Sequence, residues 1–186
     1  RKLLPNSRYI DNSISKEIIS PVDGIIVNSG RIKGETLIQA KGINYSLKSL
    51  VQNQEIEDSF NDGWFITIYL APSDYHRIHF PYAGEIKETK YLRGDLNSVN
   101  LGAIRKIHSL YARNERTLLY LESKELNYAI INIGDIAIAT HIKIILPNNT
   151  MKSAINVTAK TIYKTTANIA FVTSLSALSS WGVFRL

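Results

Sequence analysis

The sequence predicts a mainly β fold with a few short helices, a compact sandwich-like or barrel-like single domain. Three observations carry that expectation. Short runs rich in β-branched and aromatic residues recur along the chain, turn signals separate them, and helical periodicity is sparse. At 186 residues the chain is long enough for one sizeable core, and 45% hydrophobic with 20% charged residues is an ordinary globular balance.

Taken in order, the strand runs are residues 25–27, Trp64–Leu70, residues 118–121, Tyr128–Ile133 and residues 142–146. Between them stand Ser29-Gly30, Lys33-Gly34, Asn61-Asp62-Gly63, Arg93-Gly94-Asp95 and Pro147-Asn148-Asn149, each a turn former. The polar Glu122-Ser123-Lys124-Glu125 joins two runs and predicts a hairpin. One helix is expected over residues 46–51, with Ser46 as its cap and Leu47, Leu50 and Val51 turned inward.

Composition narrows the chemistry. The chain has no cysteine, which excludes disulfides, thiolate catalysis and Cys-based zinc sites. Its net charge of +6 favours an anionic partner, yet the 22 Lys and Arg residues are dispersed, which argues for a generally basic surface. The chain opens on Arg1, so a preceding segment is expected. Residues 165–184 carry no charge and match the roughly 20-residue length of a membrane span. Nine Ser, Thr, Asn and Gly side chains within that stretch make it a poor lipid-facing helix, so it is read as buried or interfacial structure.

Histidine and aspartate carry the chemistry. His76 and His79 lie in Leu70-Ala71-Pro72-Ser73-Asp74-Tyr75-His76-Arg77-Ile78-His79-Phe80-Pro81. On a regular strand, residues three apart face opposite ways, whereas on a helical turn they share a face. Pro72 suits the start of such a turn and Pro81 stops it, with Tyr75 and Ile78 anchoring the other side. The bland alternative is two hydrogen-bonded histidines beside a turn. Asp74, His76 and His79 also form a carboxylate–histidine set of the kind that binds metal, although this spacing alone is a weak signal. His108 is expected at the surface and His141 as a structural histidine in a strand. Asp23, in Ser20-Pro21-Val22-Asp23-Gly24, reads as a turn residue unless an imidazole stands beside it to be oriented.

Several blocks together resemble the phosphatidylserine decarboxylases, and in the family's order. They are Pro21-Val22-Asp23-Gly24, Gln39-Ala40-Lys41-Gly42-Ile43-Asn44-Tyr45-Ser46-Leu47, Tyr69 through His79, Gly94-Asp95-Leu96-Asn97-Ser98-Val99-Asn100 and Ala112-Arg113-Asn114-Glu115-Arg116. The resemblance implies a basic lead-in over residues 1–19 and a β-chain catalytic domain over 20–186, completed by a small α chain. Gly182-Val183-Phe184-Arg185-Leu186 resembles the segment leading into a Gly-Ser-Thr processing motif, so the self-cleaving serine is expected beyond Leu186. That serine would become a covalent pyruvoyl group heading the α chain.

By the same resemblance, Asp23, His79 and the serine form a triad for self-cleavage, and His76 serves decarboxylation as proton donor. The pyruvoyl carbonyl would form a Schiff base with the serine amine of phosphatidylserine and take up electrons as carbon dioxide leaves. The implied setting is an anionic membrane surface with peripheral association, in a bacterium or an organelle, with αβ units that pair as homodimers and no nucleic-acid partner. Two departures stand out. Gly134 is present, but Ala139-Thr140-His141 replaces the family's second glycine pattern, and residues 143–180 match poorly. His141 therefore receives no role. Two other readings compete: a metal hydrolase built on Asp74, His76 and His79, and a non-enzymatic lipid-binding β module.

Overall fold

The computed structural model describes residues 18–34, 36–40, 43–134 and 140–147. Most of the expected lead-in at 1–19, and all of the uncharged stretch 165–184, lie outside them.

Among the described residues eight strands and four short helices follow one another: β1 (Ile25–Arg31), β2 (Thr36–Ala40), β3 (Ile43–Ser46), α1 (Leu47–Val51), α2 (Gln54–Phe60), β4 (Trp64–Leu70), β5 (Glu85–Leu92), α3 (Leu101–Lys106), α4 (Leu110–Arg113), β6 (Arg116–Glu122), β7 (Tyr128–Ile133) and β8 (Thr140–Leu146). Six strands make one antiparallel sheet in the order β1-β4-β8-β7-β6-β5, and β2 and β3 form a separate ribbon. The mainly β expectation holds. Among the described residues the six-stranded sheet is open, with β1 and β5 as its edges.

Period-two alternation on the central strands explains why both faces of the sheet are covered. Phe65, Leu118, Tyr120, Ala129, Ile131, Ile133 and Ile145 point to one side, where they pack with Leu37 and Tyr45 of the ribbon and with the helices' Leu47, Leu50, Ile56, Phe60 and Tyr111. Ile66, Ile68, Leu70, Leu121, Tyr128, Ile130, Ile142, Ile144 and Leu146 point to the other. There the cover is Ile18, Val22 and Leu126, with Ile78 and Tyr82 against them.

Helix α1 is the one the sequence predicts. Ser46 Oγ accepts from the Ser49 N–H at 3.0 Å, and Leu47, Leu50 and Val51 are buried. Its C-terminal carbonyls meet Arg116, a buried guanidinium that donates to Ser49 O, Leu50 O, Ala112 O and Asn114 O at 2.7–2.9 Å. Arg116 thereby joins α1 to α4, and burial lowers its pKa to about 10.

Two of the blocks behind the family resemblance turn out to be partners of one another. Asp95 N–H donates to Arg113 O at 2.9 Å, Glu115 N–H to Asp95 O at 2.8 Å, and Arg113 pairs with the Asp95 carboxylate at 2.8 Å. Asn114 is fully buried and its Nδ2 donates to Asn97 O at 2.6 Å. Gly94 lies directly against Arg113 O and the Asn114–Glu115 peptide, leaving no space for a Cβ. These blocks form a clasp that locks the chain between β5 and β6. They contribute to architecture.

Candidate active site at one end of the sheet

The candidate residues lie where β1 begins and β4 ends. Gly24 carries the chain into β1 hard against the C-terminal end of β4, since a Cβ there would stand 2.5 Å from Tyr69 O and 2.8 Å from Ile68 Cγ2. After Leu70 the chain leaves the sheet. Ala71 and Asp74 close a tight turn: Asp74 N–H donates to Ala71 O at 2.9 Å, and Asp74 Oδ2 accepts from Ala71 N–H at 2.7 Å. The turn ends there.

Beyond the turn the chain runs antiparallel to the segment before β1. His79 N–H donates to Pro21 O at 2.8 Å and Ile19 N–H to Pro81 O at 2.9 Å. Ile78 packs on the sheet face that also holds Val22. This pairing brings the Asp23 turn and the histidine segment, more than fifty residues apart in sequence, to one place.

The helical turn expected to carry both histidines is therefore corrected. It spans only residues 71–74, because the Asp74 carboxylate satisfies the Ala71 N–H and the following backbone pairs with residues 19–21. Tyr75 does not anchor the face opposite the histidines. Its ring stacks on His79, with centroids 5.7 Å apart at 17°, and its hydroxyl lies 3.1 Å from His79 Nε2. His76 folds back on the turn, with Nε2 2.8 Å from Ala71 O. A carbonyl oxygen only accepts, so Nε2 carries a proton and Nδ1 is the nitrogen left to exchange one. His79 is exposed and His76 half-buried.

The metal reading finds no support in this geometry. Asp74 Oδ2, His76 Nε2 and His79 Nε2 are each held by a different local partner, and among the described residues no group of three or more His, Asp or Glu side chains is placed to hold a metal ion.

Reading the sequence alone missed a second polar cluster, inside the core. His141 and Lys143 alternate on β8, so both point to the helix-covered face, opposite Tyr69 and Thr67 of β4. Lys143 is fully buried, donates to Thr67 Oγ1 at 2.7 Å, and lies 4.4 Å from the Phe65, 4.9 Å from the Tyr111 and 5.3 Å from the Tyr45 ring centroids. Desolvation holds its amine well below the usual lysine pKa. His141 Nδ1 lies 2.8 Å from the Tyr111 hydroxyl, and burial with the neighbouring Lys143 lowers its pKa to about 3. His141 is thus the expected strand histidine, though only half satisfied: its Nε2 and the Tyr45 hydroxyl have no hydrogen-bond partner among the described residues. The Tyr69 ring lies 5.1 Å from His141, edge-on, so this cluster backs onto the end of β4 from which the histidine segment departs. The signal was a lysine and a histidine two apart in an otherwise apolar strand. His108, as expected, is exposed.

Residues 1–160 match the family model described as phosphatidylserine decarboxylase. The phosphatidylserine decarboxylase proenzyme of Alcanivorax borkumensis is 38% identical over 140 residues, which is 75% of this chain and 48% of that protein. The proenzyme of Psychrobacter cryohalolentis is 40% identical over 139 residues, covering 75% of this chain and 50% of that protein. That of Acinetobacter baumannii is 35% identical over 139 residues, 75% and 49% of the two chains. The chain spans about half the length of these relatives.

Proposed function

The chain belongs to the phosphatidylserine decarboxylase family, and from that premise we propose that it forms the histidine-bearing part of an enzyme converting phosphatidylserine to phosphatidylethanolamine. The observation that carries the reading is the His79 N–H to Pro21 O hydrogen bond, 2.8 Å long, which tethers the histidine segment beside the Asp23 turn. An acid and an imidazole drawn together from distant parts of the chain are what proton transfer to and from a serine requires.

In this reading Asp23 holds the His79 tautomer, and His79 takes the proton from a serine hydroxyl supplied by chain outside the described residues. The serine oxygen attacks the carbonyl carbon of the residue before it, the peptide becomes an ester, and elimination cleaves the chain. Elimination leaves a carboxylate on the preceding residue and dehydroalanine on the other fragment, and water converts that dehydroalanine to the family's pyruvoyl group with loss of ammonia. The side chains present suit such a group: a carbonyl electrophile needs proton carriers beside it, and this loop offers two imidazoles and no cluster of metal ligands. When formed, the pyruvoyl carbonyl supplies the electron sink for loss of carbon dioxide.

His76 has a separate part. With its Nε2 proton committed to Ala71 O, His76 in its imidazolium form gives up the Nδ1 proton to the substrate carbon that has lost carbon dioxide and becomes the neutral imidazole. Tyr75 fixes the His79 ring by stacking and by its hydroxyl. The proposed setting is peripheral: among the described residues no helix is long and apolar enough to cross a membrane.

Intact mass spectrometry of the full protein tests the proposal. It predicts two fragments, the smaller one blocked at its N-terminus by a group that reacts with borohydride. A single uncut chain that nevertheless releases carbon dioxide from phosphatidylserine would sink the self-cleavage step.

A further inference from the structure

Asp74 grips both polar groups of the Ala71 main chain. Its N–H donates to Ala71 O at 2.9 Å, and its Oδ2 accepts from Ala71 N–H at 2.7 Å. Pro72 stands inside this turn, where its ring fixes φ at about −65° and leaves the Ala71–Pro72 peptide without an N–H. On the other side Ala71 follows Leu70, the buried last residue of β4, which pairs with Thr140 of β8. The Ala71 carbonyl is thus fixed by the sheet before it and by Asp74 after it. A carbonyl oxygen has two lone pairs, and the second one takes the His76 Nε2 proton at 2.8 Å. His79 is held by other groups, with its N–H on Pro21 O and its Nε2 3.1 Å from the Tyr75 hydroxyl.

We propose that Asp74 is a positioning residue for His76: by clamping Ala71 it keeps Nε2 as the anchored nitrogen and Nδ1 as the one that exchanges a proton. This assignment rests on the decarboxylation reading above and deepens it by naming what orients His76. A carbonyl only accepts, so it selects the Nε2–H tautomer of a neutral imidazole and remains a partner when both nitrogens carry protons. Without the Asp74 carboxylate the Ala71 N–H loses its acceptor, the carbonyl is held by the turn's remaining bond alone, and the imidazole is no longer confined to one tautomer and one rotamer. A proton donor displaced by about 1 Å costs up to roughly a hundredfold in rate. The part Asp74 plays is that of an acceptor for an N–H, which the Oδ1 of an asparagine can also fill. His79 does not depend on this clamp, so the two histidines have separate supports.

Asp74→Ala and Asp74→Asn in the full protein test the assignment through three readouts. Self-cleavage is followed on a denaturing gel, and kcat and KM are measured with a short-chain, water-soluble phosphatidylserine. The His76 tautomer is read in mildly alkaline buffer from long-range proton–nitrogen spectra of protein carrying isotope-labelled histidine, assigned with His76→Gln. Asp74→Ala is expected to self-cleave normally, to lose roughly tenfold in kcat with KM changed by less than about twofold, and to show mixed His76 tautomers. Asp74→Asn is expected to restore the Nε2–H tautomer and most of kcat. Wild-type kcat and an unchanged tautomer in Asp74→Ala overturn the proposal. An Asp74→Asn protein as slow as Asp74→Ala also overturns it, because the charge and not the hydrogen bond would then act. Loss of folding or self-cleavage in Asp74→Ala overturns it as well, since Asp74 would then support the whole segment. The wild-type spectrum is a check that needs no variant: a His76 protonated at Nδ1 in the neutral ring overturns the proposal. Asp74-dependent tautomer control in a protein that releases no carbon dioxide from phosphatidylserine supports the clamp and overturns the decarboxylase reading instead.

Discussion

Lys143 donates to Thr67 Oγ1 across 2.7 Å, directly opposite it in the β4–β8 pairing, and neither residue exposes any surface to water. An amine in that position is favoured neutral, with a folded pKa well below 10.5. In the unfolded chain it holds a proton at neutral pH. Between the folded pKa and 10.5 the unfolded state therefore binds one more proton, and stability rises with pH. Lys143→Met is expected to be more stable than wild type at neutral pH, and to lose that advantage as pH rises toward the unfolded lysine value of 10.5. Denaturant melts at neutral and at alkaline pH check both parts. A variant less stable than wild type at pH 7 would show that the lysine keeps its charge.

His141 adds a dependence at the acid end. Its folded pKa of about 3 lies below the unfolded value of 6.5, so below pH 6.5 the unfolded chain takes up a proton that the folded one refuses. Stability falls as pH drops through that window. From pH 6 to pH 5 this one group costs ~1 kcal/mol, a loss that His141→Phe should not show. The comparison is of slopes, so it holds whatever the substitution does to absolute stability. Equal slopes in the two proteins would count against a neutral, buried His141.

The clasp between the β5–β6 blocks makes a further prediction. Gly94→Ala drives a methyl group into Arg113 O and to within 2.6 Å of the Asn114 carbonyl carbon, which is backbone on a rigid turn. The expected loss is about 1–3 kcal/mol, read as a lower urea midpoint at unchanged slope. Gly30→Ala is the control. There the Cβ meets only the Phe65 ring edge at 3.5 Å, an ordinary contact, and stability should change little.

How much of this was legible beforehand depended on burial. Trp64–Leu70 and Tyr128–Ile133 are central strands covered on both faces, so their sequences are runs of apolar residues with strand bounds that match the structure. β5, Glu-Ile-Lys-Glu-Thr-Lys-Tyr-Leu, is an edge strand mostly in water, and with half its residues charged it has no apolar signature to find. Helix α2 is capped by Asn53, whose Oδ1 accepts from Ile56 N–H at 3.2 Å, but only Ile56, Glu57 and Phe60 are buried in its seven residues. So short a stripe is indistinguishable from loop. At the candidate site, residues could be nominated from the sequence but their geometry could not. Asp23, His76 and His79 were nominated by resemblance, whereas the pairing of residues 19–21 with 79–81 that brings their segments together has no local sequence signature. The internal Lys143–His141 cluster was missed for the opposite reason: charge in a sequence signals surface, and only the partner strand reveals that these two face inward.

The two histidines differ in their hydrogen bonds, and their variants should differ accordingly. His79→Ala removes the imidazole tethered beside the Asp23 turn, so the full protein is expected to remain uncut on a denaturing gel. Asp23→Asn should slow cleavage strongly, because the amide cannot stabilise an imidazolium. Tyr75→Phe keeps the stack over His79 and loses only the 3.1 Å hydroxyl contact; cleavage should slow by roughly the fivefold that one ~1 kcal/mol hydrogen bond allows. His76→Ala leaves that apparatus intact. Its loss removes one of two partners of Ala71 O, which still accepts from Asp74 N–H, and Asp74 still closes the turn through Ala71 N–H. The expected product is a normally cut, normally folded protein that has lost at least about a hundredfold in carbon dioxide release, the usual contribution of a general acid. Cleavage of His79→Ala at the wild-type rate would refute this division of labour, and so would full decarboxylation by His76→Ala.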